Sequence, residues 1–519
     1  MSAFRKQFVI FTSDTIVTDY SETTVPPGQL AKIVSILSAG TFFGSLLAAP
    51  MGDRLGRRLS LIISVVIFSF GALLQTAAMH MPILVAGRFF AGLGVGIVSV
   101  LVPLYQSEMA PKWIRGTLVC AYQLAITTGI LLASIVNLIT APLQSANAFR
   151  IPFALQFVWA GILLLGLIFL PETPRYLIKR GLPTAAAASL SRLRRLDITH
   201  PALIEELAEI EANHEYEMNL GPSTYRDVFI GSPHLGRRLF TGCGMQMLQQ
   251  LSGCNFLFYY GTSFFSNIGI SSPFIIQLVM NIVNVVSTIP GMMLVETLGR
   301  RRLLMGGAIG MAVCQFTIAT VGTVIPEAKR TTNLVLIVFA CIYIFFFAST
   351  WGPVPWVVTA EIYPLKVRAK SMSLSTASNW FLNFVIAYAT PYLVTPGNGS
   401  TDLASKIFFV WGSCCVVAFF FVWLVVYETS KISLEQIDEM YERVDHAWNS
   451  TNFQPSWSFQ EMLDEGASAS GVQPDVPLEN VDSTVRQRTG TSASNTESEA
   501  TLTEEDKIIA QLGTVDLSY

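Results

Sequence analysis

Charged side chains are scarce in these 519 residues: Asp, Glu, Lys and Arg together make up 13%, against about 25% in an ordinary soluble chain. Hydrophobic residues account for 51%, so the charge deficit excludes a water-soluble domain and leaves a membrane protein. A net charge of −3 is too small to imply nucleic acid or any highly charged partner. Histidine is rare, and His80, His200, His214, His234 and His446 all avoid the centres of the apolar runs. That argues against a histidine relay across the membrane. The seven cysteines sit in apolar runs without the spacing of a metal site or a disulfide framework, so no metal and no cofactor is expected. Residues 1–29 hold no apolar stretch beyond residues 8–11, so no signal peptide is expected either.

What the chain has instead is long apolar runs. Eleven spanning helices are expected, at roughly 30–50, 59–79, 83–105, 116–140, 152–171, 237–266, 274–295, 303–325, 333–359, 370–394 and 406–427. Each is long enough for a bilayer, which takes ~20 residues at ~1.5 Å per residue. Lys and Arg collect in alternate loops: Arg54, Arg57 and Arg58, then Lys112 and Arg115, then Arg175, Lys179 and Arg180. Arg300, Arg301 and Arg302 continue the pattern, followed by Lys366, Arg368 and Lys370. The positive-inside rule puts those loops in the cytoplasm. The chain then divides into an extracellular segment 1–29, a membrane half 30–171, a cytoplasmic insert 172–236 of short helices, a second half 237–427, a cytoplasmic helix 428–447 and a tail 448–519. The tail's Ser, Thr, Gly and Glu content predicts disorder. Of two glycosylation sequons, Asn398–Gly399–Ser400 falls outside and is expected to be accessible, whereas Asn449–Ser450–Thr451 falls inside.

One run breaks the apolar pattern. Residues 249–260 read QQLSGCNFLFYY, inside a span with no charge after Arg238. Amides are costly in hydrocarbon unless paired, so Gln249, Gln250 and Asn255 are predicted to face protein or a cavity. Gln250 and Asn255 are five positions apart, about 140° around a helix, and Gln249 and Gln250 differ by about 100°, so the polar face is broad. A lone amide reads best as glue between helices. Three amides with Tyr259 and Tyr260 in one short stretch read better as a site for a neutral, hydroxyl-rich ligand. Amides both donate and accept, and aromatic faces suit the C–H faces of a sugar ring. Elsewhere, Asn379 and Asn383 share one helix face, Gln123 is a lone amide in its span, and Asn281 and Asn284 are alternatives that pattern does not separate. Trp356 closes GPVPW, whose two prolines interrupt the helix ladder and can bend it. The competing reading of Trp356 is an interfacial anchor.

A repeat is legible. Asp53 with RLGRR at 54–58 recurs as Glu296 with TLGRR at 297–301, 243 positions later. Glu108 and Arg115 recur as Glu361 and Arg368, 253 positions later, and Glu172–Thr173 recurs as Glu428–Thr429, 256 positions later. Two parallel halves that rock about a midplane site are a known transporter solution.

With PETPR at 171–175, GPVPW at 352–356 and NWFLN at 379–383, these motifs in this order resemble the sugar porter branch of the major facilitator superfamily. Within it the likeness is to the fungal hexose transporters, and it runs from about residue 29 to 439. The resemblance implies an all-α major facilitator fold of two six-helix halves around one monosaccharide site. Carriers of glucose, fructose, galactose, xylose and quinate share that framework. The family's first helix, with its Gly-Tyr-Asp signature, has no counterpart here, and residues 1–29 read as the outer loop after it. The expectation is twelve helices minus the first, with eleven spans visible. Tyr427 departs from the family's usual proline.

The resemblance places sugar contacts at Gln123, Gln249, Gln250, Asn255, Asn284, Trp356, Asn379 and Asn383, and of the two candidates on that span it alone selects Asn284. It also makes the cytoplasmic charges a gate, paired when the site faces outward and broken when it faces inward. Asp53, Arg54, Arg57, Arg58, Glu108 and Arg115 would cross-pair beneath the bundle with Glu296, Arg300, Arg301, Glu361 and Arg368. Simple positive-inside anchoring explains the arginines, but not an acid at the matching place in every motif. Arg88 lies inside a span, and the resemblance pairs it with an aspartate on the first helix whose protonation couples sugar to protons; no acid lies mid-span here to replace it. The expected function is uptake of a hexose across a fungal plasma membrane, with no enzymatic step. The partners are a monosaccharide, possible coupling protons and the lipid bilayer, and the chain is a monomer. The alternatives are a sugar sensor signalling through the tail, and a truncated carrier without activity.

Overall fold

Hydrocarbon offers no partner for a backbone N–H or C=O, so the apolar runs close their hydrogen bonds within helices, and no strand occurs among the described residues. The computed structural model describes Phe4, Gln7, Phe8 and residues 26–453, apart from 112–113, 220–223, 232–233, 268–272, 325–329, 395–402, 431 and 433. Against the disorder expected of the tail 448–519, its start is ordered: Ala447–Asn452 forms a 3-10 helix whose buried Ser450 accepts from Glu428 N at 2.9 Å. Residues from 454 onward and Asn398 lie outside the described residues.

The first half holds α1 (Pro27–Leu55), α2 (Arg57–Ala77), α3 (Met81–Met109), α4 (Arg115–Thr140) and a pair, α5 (Asn147–Ala154) and α6 (Gln156–Phe169). The insert forms α7 (Pro174–Lys179), α8 (Pro183–Arg194), α9 (Pro201–Asn219) and α10 (Tyr225–Ile230). The second half holds α11 (Leu235–Leu251), α12 (Cys254–Asn267), α13 (Pro273–Thr297), α14 (Arg300–Val324), α15 (Arg330–Phe346), a π turn at Phe347–Trp351, α16 (Val354–Glu361), α17 (Leu365–Val394) and α18 (Ile407–Val425). A last helix, α19 (Leu434–Arg443), follows it.

Nine helical stretches among the described residues are long and apolar enough to cross a membrane. Two of the eleven expected spans do not meet that description, and both carry amides. The expected continuous helix over 237–266 is a correction: it is broken into α11 and α12. Gly253 sits at φ +85°, and an added Cβ there would lie 2.6 Å from Trp411 Cγ, so the position requires glycine twice over. The break frees the Ser252 carbonyl, which accepts from Gln315 Nε2 at 3.1 Å and from Tyr343 Oη at 2.9 Å. The second is α17, whose serines and asparagines dilute its apolar content.

The halves meet along two seams, α1 against α17 and α4 against α13. Within the first half, α1 and α3 approach through glycines. Cβ atoms added at Gly40, Gly44, Gly92 or Gly96 would each lie 2.2 Å from a carbonyl oxygen of the facing helix. Such small-residue contacts let membrane helices pack backbone to backbone where no hydrophobic effect drives them together. Beyond the second half, α19 buries Ile437, Met440 and Tyr441 against Tyr427, whose ring stacks on Tyr441 at 4.5 Å. Tyr427 Oη donates to Val444 O at 2.8 Å, so the residue that departs from the family's proline anchors this helix. Arg238 clamps it from α11 through Asp438 and lies over the Tyr441 ring.

The Gly96→Ala variant is expected to lose about 1–3 kcal/mol of stability, the usual cost of overpacking. A melting temperature in detergent equal to that of the wild type would show that α1 and α3 part freely.

Candidate functional site

The breaks in the helices create the polar groups of the site. Pro355 has no N–H, so the Trp351 carbonyl loses its helical donor, and Trp356 N bonds Pro353 O at 3.1 Å instead of reaching Gly352 O. Gln249 Nε2 takes up both freed carbonyls, Trp351 O and Gly352 O, each at 2.9 Å. Gln249 Oε1 accepts from Asn379 Nδ2 at 2.8 Å, and Asn379 Nδ2 also reaches Gln246 Oε1 at 2.7 Å. Gln250 Nε2 donates to Asn379 Oδ1 at 3.0 Å, while Gln250 Oε1 accepts from Asn383 Nδ2 at 3.1 Å and from Asn255 Nδ2. Asn383 Oδ1 accepts from Ser38 Oγ at 2.6 Å and from Tyr259 Oη at 3.3 Å.

Five of the expected residues, Gln249, Gln250, Asn255, Asn379 and Asn383, thus form one hydrogen-bonded cluster, and Tyr259 touches it. The structure does not bring Tyr260 in. It lies about 100° further around the helix, and its hydroxyl donates to Ala387 O at 2.6 Å, bracing α12 on α17. Trp356 is buried in the core and meets Tyr122 of the first half edge to face at 5.3 Å, which removes the interfacial-anchor reading. Gln123 approaches from the first half: a Cβ on Gly352 would sit 3.2 Å from Gln123 Nε2. On α13, Asn281 bonds Ser134 across the halves, whereas the buried Asn284 Oδ1 has no partner among the described residues. Arg88 comes near Tyr259 and Tyr260 and makes no ion pair among the described residues.

Two members of the cluster went unread in the sequence. Gln246 stands three positions before Gln249, on the same helix face, and that spacing could have found it. Ser38 carries no such signal.

The "Sugar (and other) transporter" family model matches residues 1–441. The chain belongs to this family. It is 65% identical over 458 residues to the probable glucose transporter rco-3 of Neurospora crassa, covering 87% of this chain and 77% of that one. It is 44% identical to the high glucose sensor RGT2 of Saccharomyces cerevisiae, over 81% of this chain and 56% of that one. Among solved structures it resembles the proton:xylose symporter XylE from E. coli bound to 6-bromo-6-deoxy-D-glucose. That match has a TM-score of 0.71 and 27% identity, over 80% of this chain and 89% of that one.

At the charged end of this transporter the repeated motifs build the same arrangement twice. Arg57 Nη2 pairs with Glu108 Oε1 at 2.9 Å and Nη1 donates to Gly52 O at 3.1 Å. Arg300 Nη2 pairs with Glu361 Oε1 at 2.8 Å and Nη1 donates to Val295 O at 3.1 Å. Asp53 pairs with Lys179 and Glu296 with Arg300. Arg58 donates to Leu167 O and Ile168 O, and Arg301 to Trp423 O and Ala447 O. These contacts of Arg57, Arg58, Arg300 and Arg301 stay within one half. Arg57 and Arg300 each reach the acid at the end of a helix in their own half. Arg115 and Arg368 are buried at this end, while the Arg54 side chain is exposed. Other contacts cross the halves here. Gly116 abuts Glu296 and Arg300, where a Cβ would lie 2.4 Å from Glu296 Oε1, and Thr117 Oγ1 reaches Met292 O at 3.4 Å.

Glu172 caps α2, its carboxylate accepting from the backbone N–H groups of Arg57, Arg58 and Thr173. Glu428 caps α14 in the same way through Arg300 N and Arg301 N, each at 3.0 Å. Both caps lie against a glycine with positive φ, Gly56 and Gly299. Burial pushes the Glu172 carboxyl above the usual carboxylate range, against the pull of those N–H groups and of the Arg57 charge. The folded protein therefore holds that proton more tightly than the unfolded chain. The group's stabilising contribution is full below the unfolded carboxylate pKa, ~4.3, and is lost as pH rises through the higher folded value. Glu172→Gln cannot titrate, so its melting temperature should fall less than that of the wild type as pH rises from ~4 to ~7. Parallel melting curves for the two proteins would rule this out.

Proposed function

We propose that this chain carries a hexose across the plasma membrane by alternating access, with the sugar held between the halves. The observation that carries this reading is the buried amide cluster of α11, α12 and α17, with Gln123 of the first half beside Gly352, whose carbonyl Gln249 holds; Trp356 and Asn284 are assigned to the same site. Amides offer donors and acceptors without charge, as a neutral polyol needs, and Trp356, Tyr122 and Tyr259 offer aromatic faces to its C–H groups. The charged end lies in the cytoplasm, with the C-terminal helix on that side. Its charges are the gate: Arg57–Glu108 and Arg300–Glu361 lock each half internally, and the halves meet there beside Gly116 and Thr117. Arg88 is the residue assigned to proton coupling, since a carboxylate opposite it would change partner on protonation. A second reading, a sugar receptor, is favoured by the likeness to a glucose sensor.

Labelled glucose uptake in a host lacking its own hexose carriers separates the two, since a receptor gives none. Gln250→Ala should raise KM about two- to tenfold, the equivalent of a lost hydrogen bond of ~0.5–1.5 kcal/mol, with normal surface abundance. Unchanged uptake at low glucose would reduce the amides to packing. With no mid-span acid in its sequence to face Arg88, this chain is expected to give no sugar-evoked alkalinisation of the medium. Alkalinisation that appears only when a helix carrying an aspartate opposite Arg88 is grafted on checks the coupling role, and alkalinisation by the ungrafted chain overturns it. For orientation, a glycan is expected on Asn398 and none on Asn449; a glycan on Asn449 inverts the topology.

A further inference from the structure

The amide cluster runs in one direction, and two kinds of anchor enforce it. Trp351 O, Gly352 O and Gln246 O are backbone carbonyls and can only accept. The atom of Gln249 facing the first two must therefore be its NH2, and the atom of Asn379 that lies 3.2 Å from Gln246 O must be its NH2 as well. Gln249 Oε1 is then an acceptor, and Asn379 Oδ1 must take its hydrogen from Gln250. Gln250 Oε1 is left to accept from Asn255 and Asn383, and Asn383 Oδ1 to accept from hydroxyls. The nearer hydroxyl is Ser38 Oγ at 2.6 Å; Tyr259 Oη stands at 3.3 Å. Ser38 is the one member of this chain that comes from the first half, on α1, and both it and Asn383 are buried.

An amide has two N–H hydrogens and two lone pairs on oxygen. With the polarity above, the oxygens of Gln250 and Asn383 are already doubly engaged. Gln250 Nε2, Asn255 Nδ2 and Asn383 Nδ2 each use one hydrogen within the cluster and keep one.

We propose that Ser38 is a positioning residue that sets specificity: by filling Asn383 Oδ1 it leaves Asn383 only N–H to offer the sugar, completing the donor set that the backbone carbonyls fix at Gln250 and Asn255. This rests on the hexose reading above. Because Ser38 and Asn383 stand on opposite halves, rocking that parts α1 from α17 withdraws the donor and opens a lone pair of Asn383 Oδ1 to a sugar hydroxyl. The site is then selective in one state and permissive in the other, from a single hydroxyl.

The test is competition of labelled glucose uptake by the deoxy and deoxyfluoro analogues of D-glucose at each hydroxyl, with surface abundance measured in parallel. Fluorine retains some acceptor capacity and has no hydrogen to donate. In the wild type, at the hydroxyl read by these amides, the fluoro analogue should compete close to glucose and the deoxy analogue poorly. In Ser38→Ala the freed Asn383 oxygen can demand a donor. The fluoro analogue's inhibition constant should then rise about three- to tenfold relative to that of glucose, the scale of one hydrogen bond. Ser38→Thr, which keeps the hydroxyl, should restore the wild-type ratio. Identical ratios in wild type and Ser38→Ala overturn the proposal, as does an equal loss for every sugar, which marks a structural role. Should Ser38→Ala not reach the membrane, Ser38→Cys, a weaker donor of similar size, is expected to give an intermediate ratio, and an unchanged ratio overturns the proposal. Absence of hexose uptake by the wild type would defeat the hexose reading itself, a result separate from any effect at Ser38.

Discussion

The demand that every backbone carbonyl in hydrocarbon find a donor shapes the centre of this molecule. A helix that must bend cannot satisfy that demand alone. In GPVPW the missing N–H of Pro355 and the rerouted bond of Trp356 leave two carbonyls open, and each would cost about 1–3 kcal/mol if buried unpaired. Gln249 meets both with the two hydrogens of one amide. Its oxygen then needs a donor, Asn379 supplies one, and the requirement passes from residue to residue until it ends on hydroxyls. At Ser252 the same logic recruits Gln315 and Tyr343. The polar centre of the bundle is therefore the consequence of broken helices as much as a site placed among them.

The charged end obeys a different constraint. A carrier with two moving halves needs each half stiff and the joint between them easy to open. Buried ion pairs with backbone contacts lock Arg57 to Glu108 and Arg300 to Glu361 inside their own halves. Removing one partner of such a pair leaves an uncompensated buried charge, a loss of about 3–5 kcal/mol. The halves also touch at this end, where Gly116 abuts Glu296 and Thr117 Oγ1 reaches Met292 O at 3.4 Å. The repeat puts these two ion pairs inside bodies that need not deform.

Much of this was readable beforehand, for definite reasons. The spans follow from apolar length, and the repeat from motifs at a constant offset. Gln249, Gln250, Asn255, Asn379 and Asn383 stood out because an amide in an apolar run has few uses. The break after Leu251 was hidden because Ser and Gly are common inside membrane helices, and only the contact with Trp411 makes Gly253 irreplaceable. Pairing within each half was hidden because charge pattern gives sign and not reach. Ser38 was hidden most deeply. A serine in an apolar helix usually bonds the carbonyl three or four residues back, as Ser64 and Ser69 do, and nothing local marks Ser38, which instead crosses to another half.

A carrier must also let go. Binding at the millimolar level corresponds to about 4 kcal/mol, and a net neutral hydrogen bond gives about 1 kcal/mol. A handful of amide bonds is therefore enough, and a carboxylate in their place would add charge-assisted bonds roughly twice as strong. It would also carry the cost of a charge away from water through each half-cycle. Amides avoid both, but they introduce an ambiguity that carboxylates lack, because either end of an amide can face the ligand. Backbone carbonyls at one end of the cluster and hydroxyls at the other remove that ambiguity. If the proposed site holds the sugar, neutrality makes release easy, and the fixed direction lets weak contacts discriminate among sugars that differ by a single hydroxyl.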